Sequence, residues 1–531
     1  MSIQIHDSLT RELRPFQPLV EGEVSMYVCG PTVYDEAHVG HLMGPVVFDT
    51  IARWMRARGY RVRFVNNITD IDDKIINRAQ ATGEAWDSIS KRYTLAYKQH
   101  LADLDIRSIT DFPHCTDYVQ QMVEFIEQFV AEGKAYEAPD GVYFRVAHHP
   151  GYGKLSGRKL EDMRAAEHVA DGLEDAADFA LWKKAKPGEP SWPSPFGEGR
   201  PGWHIECSVM ASQLLGNHFD IHGGGDDLKF PHHENEIAQS EAHGDSYAAC
   251  WMHNGLVQYG GRKIAKSDER MADPAFRQQF QAPWLIENHG APALRYFLIR
   301  SPYRKPVDFE PSALDAALKG LKRLYRQLGE RLENPKVQSL DEILALDLPG
   351  PLAEQRAEFC RAMDADFNTS DALGALFSIA ALAKPLEGAA KDQALDLVRD
   401  LGRLIGMLQP GDAAKVKNAG TGDERLATVL PALAKIRAGA RERKSFDAAD
   451  GLRDALAPLG IALRDTAAGT TAELEGTVQD GLLGQALDAA LAVRTSARAA
   501  KDFATSDAIR DELEAAGVTI LDGPEGTSWR V

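Results

Sequence analysis

The opening 70 residues constrain the fold most. Glu23 to Cys29 (EVSMYVC) alternates Val24, Met26 and Val28 on one face, which predicts a strand. A turn-rich GPTVYDEAHVG follows. A helix is then expected from about His41 to Arg58, with Val47, Phe48, Ile51, Trp54 and Met55 at helical spacing. Gly59 stops it, and RVRFVNN (61–67) reads as a second strand. Strand, turn, helix, strand is the unit of a parallel sheet and makes a nucleotide-binding half-sheet the natural reading. The turn lacks G-x-G-x-x-G, which disfavours a dinucleotide cofactor, and lacks G-x-x-x-x-G-K-[ST], so this is not a P-loop.

At roughly 150 residues per domain, 531 residues suggest three or four domains. The 60 Lys and Arg against 78 Asp and Glu, a net charge of −18, argue against a protein that coats DNA or a polybasic membrane binder. Local basic patches for a nucleic acid are not excluded. Five scattered cysteines form no disulfide framework, which points to a reducing compartment. The N-terminus has no apolar signal core, and no run of about 18 apolar residues appears. A cytoplasmic protein with no membrane partner is expected.

Further along, 84–135 reads as helical, and 137–200 as short strands among proline and glycine, an insertion. Strand-and-loop character is expected over 203–225, a helix over 231–242 and a strand over 251–259. From Pro311 onward nearly everything reads as helical, broken at 348–351, with Lys319, Lys322, Arg323, Arg326 and Arg331 forming a basic stripe. Residues 437–471 align without gaps on 494–528, with thirteen identities in 35 positions, among them Arg437/Arg494, Lys444/Lys501, Phe446/Phe503, Asp450/Asp507 and Asp465/Asp522. Both polar and apolar sites match, which points to duplication of a helix–helix–strand module.

Three constellations carry chemistry. His38-Val39-Gly40-His41 stands at a helix N-terminus, where free N–H groups, the helix dipole and two imidazoles suit a polyphosphate; two surface histidines are the plainer alternative. Lys263 and Lys266, in the glycine-flanked YGGRKIAKS, could neutralise a departing pyrophosphate, or be merely solvated. In PHHENE, His232 and Glu236 fall four apart on one helical face, and Cys29 and Cys207 would complete a four-ligand zinc site. The alternative is two buried free cysteines.

CGPTVYDEAHVGH (29–41), NITDIDDKI (67–75), GEPSWPSPFGEGRPGWHIECSVM (188–210), LGNHFDIHGGGDDLKFPHHENEIAQS (215–240) and DADFNTSDA (364–372) closely resemble the bacterial-type cysteinyl-tRNA synthetase family, a class I family. The resemblance runs from about residue 3 to the terminal GPEGTSWR. It implies activation of L-cysteine by ATP, used with magnesium, to cysteinyl-adenylate and pyrophosphate, and transfer of cysteine to the 3′ adenosine of tRNA(Cys). It further implies that His38 and His41 stabilise the α-phosphate transition state, that Lys263 and Lys266 serve as the lysines of the mobile loop, and that Gly223, Gly224 and Gly225 lie beside the adenosine. Trp203, Thr69 and His222 are placed at the substrate, and one zinc on Cys29, Cys207, His232 and Glu236. A metal suits this task, since shape alone separates isosteres by only about 10²-fold and zinc prefers a thiolate to an alcohol. Phe503, Asp507 and Asp522 of the terminal copy are the expected tRNA contacts.

The expected fold is α/β. A Rossmann-like parallel-sheet catalytic domain (1–136 and 203–260) is split by a connective insertion (137–202). A loop and stem-contact region (261–345), a helical bundle (346–430) and an α+β C-terminal module in two copies (431–473 and 490–531) follow. A monomer is expected. The family loop KMSKS-LGN stands here as KIAKS-DER, so Asp268 and Glu269 are expected to slow pyrophosphate chemistry or weaken ATP binding; Asp226 is a second departure beside the nucleotide. Two other readings are a cysteine:amino-sugar ligase of the mycothiol type and a catalytically silent RNA-binding paralogue. The full helical C-terminal region counts against the first, and the intact histidines, Lys266 and metal positions against the second.

Overall fold

The computed structural model describes residues 2–161, 172–263, 269–335, 339–418, 422–466, 469–474, 482–523 and 526–530. Lys266 and Asp268 lie outside them, as do the side chains of Lys263, Glu269 and Asp522. The chain divides into two units. One comprises 1–285, 294–313 and 323–412; the other comprises 286–293, 314–322 and 413–531.

The first unit is built on the expected half-sheet. Strands Glu23–Val28 and Arg61–Asn66 pair in parallel through the helix Val39–Ala57. On the other side of Glu23–Val28 lie His218–Gly225 and then Tyr247–Asn254, also parallel. The first strand is thus central, and strand order reverses beside it. Such a switch point opens a crevice at the carboxyl ends of the strands, here at Cys29, Asn67 and Gly225. Tyr27, Phe48, Trp54 and Trp251 are fully buried around this sheet.

Three local expectations need correction. Residues 203–225 are not strand and loop throughout: Trp203–Leu215 is an α-helix leading into His218–Gly225. Ile205, Val209 and Met210 are buried, and so are the polar Glu206 and Ser208, so burial on several sides erases the polar–apolar period that marks a surface helix. The helix expected over 231–242 begins only at Glu234, and His232 lies in a wide turn, Lys229–His233, where Phe230 is extended and Pro231 has no N–H to give. The strand expected over 251–259 is two, Tyr247–Asn254 and Val257–Tyr259.

The insertion forms a four-stranded antiparallel sheet of Ala135–Ala138, Gly141–Phe144, Phe179–Lys184 and Gly199–Pro201. Helices Gly350–Asp364, Thr369–Leu382 and Gly388–Arg403 follow in the same unit. There Arg331 of the basic stripe is spent on Asp392. Among the described residues no helix is long and apolar enough to cross a membrane.

The second unit holds two helix–helix–hairpin runs. Gly422–Glu442 and Phe446–Leu456 lead into the hairpin Ile461–Thr466/Gly469–Leu474; Leu482–Ala499 and Phe503–Ala515 lead into Thr519–Gly523/Gly526–Arg530. In the first hairpin Asp465 faces Thr470, and in the second Asp522 faces Thr527. Both runs pack into one apolar core through Leu452, Leu456, Ile461, Ile509, Leu513 and Val518.

Candidate active site

The turn after the first strand becomes a helix cap. His38 is the N-cap of Val39–Ala57: its Nδ1 accepts the Gly40 N–H at 3.1 Å, and the Nδ1 of His41 accepts the His38 N–H at 3.3 Å. A backbone N–H can only donate, so each ring carries its proton on Nε2. The rings stack with centroids 3.7 Å apart. Gly40 permits this, because a Cβ there would stand 2.9 Å from Cε1 of His38. Burial pushes the His41 imidazole well below its usual value, and His38 and Lys74 add to the effect, so it is neutral at physiological pH. Two Nε2–H donors at a helix N-terminus can serve an anion that gains charge during reaction.

The chain downstream of the lysine loop docks on this turn. Phe280 C=O accepts the Val39 N–H at 2.8 Å, and Ala282 N–H donates to Ala37 C=O at 2.7 Å. Arg262–Lys263 forms the strand that enters the loop. Arg270, at its exit, lies over the rings of Tyr259 and Phe276.

Side chains from three segments meet at the carboxyl ends of the central strands. Cys29 Sγ lies 3.6 Å from Cys207 Sγ and 3.6 Å from Glu236 Oε1, and His232 Nε2 lies 3.1 Å from the same carboxylate oxygen. One ligand atom from each of Cys29, Cys207, His232 and Glu236 falls within 4.8 Å of the others. Four ligands about 2.0–2.3 Å from a tetrahedral zinc stand roughly 3.3–3.8 Å apart, so the two 3.6 Å spacings fall inside that range and the 3.1 Å one just below it. Cys29, His222, His233 and Glu236 form a second grouping of this kind.

Surrounding groups fix the orientation of the first grouping. Glu236 turns Oε1 into the cluster because Oε2 is held by His222 Nε2 and by the Tyr247 hydroxyl, each at 2.7 Å. His232 presents Nε2 because its Nδ1 is 3.0 Å from Nδ1 of His204. His233 has Nδ1 2.8 Å from His253 Nε2. Burial alone would raise the Cys207 thiol, yet the hydrogen bond from Cys29 and the charge of His232 bring it down to about 6. Cys29 is raised, by burial first and then by Cys207. Burial works against the Glu236 carboxylate too, but His222 and His232 hold it below its ordinary value.

Other expected residues have definite places. Trp203 is 38% exposed and stacks on His232 with centroids 4.3 Å apart, so it stands at the mouth of the cluster. Thr69 is buried and donates to Glu206 Oε2 at 2.9 Å. His222 is fully buried and faces Glu236. A Cβ on Gly223 would fall 2.3 Å from Phe48, and one on Gly224 2.8 Å from His233, so packing alone already demands these glycines. Phe503 is 57% exposed and Asp507 is exposed. His204, His253, Tyr247 and Asn67 went unmarked in the sequence; Asn67 accepts the Gly30 N–H at 2.8 Å beside Cys29.

A parallel sheet with a histidine-capped helix at its first crossover, and with the chain at Phe280–Ala282 returning to that cap, has the makings of a class I tRNA synthetase. Residues 15–319 match the family described as tRNA synthetases class I (C) catalytic domain, 358–409 the DALR domain, and 480–530 the cysteinyl-tRNA ligase anticodon binding domain. Among solved structures, methionyl-tRNA synthetase of Mycobacterium tuberculosis with methionyl-adenylate shares the fold, with a TM-score of 0.51 at 16% identity over 74% of this chain and 93% of that one. Among curated relatives, the cysteine–tRNA ligase of Alkalilimnicola ehrlichii is 45% identical across 88% of this chain and 99% of its own length. That of Halorhodospira halophila is 41% identical across 99% of both. The chain belongs to the cysteine–tRNA ligase family.

Proposed function

We propose that the chain activates L-cysteine with ATP, releases pyrophosphate, and passes the cysteinyl group from the adenylate to the 3′ adenosine of tRNA(Cys). The observation that carries this is the convergence of Cys29, Cys207, His232 and Glu236 at the sheet switch point, on the same edge as the His38–His41 cap. When the cysteine carboxylate attacks the α-phosphate, His38 and His41 donate Nε2–H to the oxygens whose charge grows, aided by the N-terminus of Val39–Ala57. Lys263 and Lys266 neutralise the departing pyrophosphate, with ATP bound as its magnesium complex and the Gly223–Gly225 backbone beside the adenosine. The same edge of the sheet receives the terminal adenosine of the tRNA. Asp268 and Glu269 work against ATP in this loop, and Asp226 stands near the glycines.

Cys29, Cys207, His232 and Glu236 would hold one zinc; His222 is less suited, since its Nε2 is already engaged by Glu236. Bound there, zinc supplies a Lewis acid that favours a thiolate over an alcohol and so separates cysteine from serine. Trp203 closes over the mouth, and Thr69 acts on the substrate pocket through Glu206. His222 and Tyr247 orient Glu236 rather than touch substrate.

In the second unit, 431–473 and 490–531 are read as two copies of one module, supported by the shared hairpin register and by positive φ at Lys444 and Lys501. The terminal copy reads the anticodon, with Phe503 stacking a base and Asp507 and Asp522 accepting from base edges. A cytoplasmic location fits this role.

Cysteine-dependent ATP–pyrophosphate exchange followed by tRNA charging tests the assignment. Both steps are expected. Exchange without charging would transfer the reading to a cysteine:amino-sugar ligase, and the absence of both to a silent RNA-binding paralogue.

A further inference from the structure

In the second unit, equivalent residues of the two helix–helix–hairpin runs touch each other. The Ser445 hydroxyl lies close enough to Asp502 to hold its carboxyl below the ordinary value, and these residues occupy the same place 57 positions apart. Equivalent positions meet only near an axis that relates two copies. The helices pair crosswise as such an axis requires: Gly422–Glu442 packs on Phe503–Ala515, and Phe446–Leu456 on Leu482–Ala499.

Next to this contact each copy presents the same two side chains. Phe446 and Phe503, one residue beyond the touching pair, are 55% and 57% exposed. Lys444 and Lys501, one residue before it, are exposed and sit at φ 61° and 62°. That left-handed position closes a helix and is ordinarily taken by glycine, which adopts it without strain. Both copies keep a lysine there instead, and both keep a large aromatic ring in solvent.

We propose that the two copies form one composite RNA-binding face, in which Phe446 and Phe503 each stack an unpaired nucleotide of the tRNA and Lys444 and Lys501 meet the phosphates between them. Every nucleobase has a face that stacks on an aromatic ring, and two rings flanked by cations suit adjacent unstacked nucleotides. The charge divides accordingly: residues 435–466 carry seven basic and five acidic side chains, and 493–531 five and seven. The first copy thus supplies cations that the acidic terminal copy lacks. This rests on reading the terminal copy as the anticodon binder, and it gives the first copy a share of the same RNA rather than a spacer's role.

The test uses the full chain and a tRNA(Cys) transcript. Phe446→Ala and Phe503→Ala are each expected to weaken tRNA binding about 10-fold, and Phe446→Trp to restore affinity. Lys444→Gly, which relieves backbone strain, is expected to keep or raise Tm while flattening the salt dependence of binding by about 0.7 in logarithmic slope. If Phe503→Ala weakens binding but Phe446→Ala and Lys444→Gly leave it unchanged, the composite face is wrong and the terminal-copy reading survives. If neither phenylalanine matters, both fall. A loss in Phe446→Ala that tracks a fall in Tm and is not restored by Phe446→Trp also overturns the proposal.

Discussion

The cysteine–histidine–glutamate cluster and the C-terminal helix–hairpin pair solve recognition in opposite ways. In the cluster, Cys207, His232 and Glu236 are buried, Cys207 coming from a different segment than the neighbouring pair His232 and Glu236, and both oxygens of Glu236 are committed, Oε2 to His222 and Tyr247 and Oε1 to the cluster. In the second unit, Phe446 and Phe503 are more than half exposed at the starts of two helices. A site that must tell one atom from another needs preorganised, water-free groups. A surface that receives a macromolecule can leave its contacts exposed, because the partner desolvates them. Variants should therefore cost far more in the cluster than on the surface.

The largest effect is expected at Cys207→Ala, which removes a ligand atom: cysteine-dependent exchange should fall by about 10³-fold or more and bound zinc from one per chain to none, read by elemental analysis. A variant that keeps its metal and its rate would put the two regions on an equal footing. Next is Asp49, which tests burial without substrate recognition. Its carboxylate is fully buried, 2.8 Å from Arg53 and 2.5 Å from Arg295, and although burial opposes ionisation, Arg295 and Arg53 hold it below its ordinary value. Asp49→Asn strands Arg295 and should cost about 3–5 kcal/mol of stability at neutral pH. Because the folded carboxyl value is depressed, this stability is present above the unfolded value near 4 and is lost as pH falls through the folded one. The gap between wild type and variant in urea melts should thus narrow below about pH 4; a gap that stays constant into acid would contradict this.

Tyr247→Phe removes one of the two hydrogen bonds to Glu236 Oε2 and should weaken zinc binding about 10- to 100-fold, measured by competition with a chelator. Equal affinity would mean that His222 alone orients the carboxylate. The smallest effect is expected in the lysine loop. Asp268→Leu with Glu269→Gly should raise exchange only a few-fold, since screened charges act weakly, and unchanged kinetics would remove the idea that these acids hinder ATP.

What could be read in advance followed the range of the signals. The half-sheet was legible because Val24, Met26 and Val28 alternate and Gly59 stops the helix, all local features. His232 and Glu236 were found together by their separation of four, although the turn Lys229–His233 rather than a continuous helix delivers His232. The helix Trp203–Leu215 was missed because burial of its polar Glu206 and Ser208 along with its apolar residues leaves no period to read. His204, His253 and Tyr247 were missed for another reason. They act through partners 28, 20 and 11 residues away in sequence, and only the fold reveals such pairs. The one available hint was density: five histidines between 204 and 233 exceed what a core usually holds.

The central claim is that Cys29, Cys207, His232 and Glu236 hold a metal that selects the cysteine thiol. Cysteine-dependent ATP–pyrophosphate exchange, measured after chelation and again after zinc is added back, tests it most directly. Exchange is expected to be lost with the metal and to return with one zinc per chain; full exchange by the metal-free chain would contradict a thiol-selecting metal.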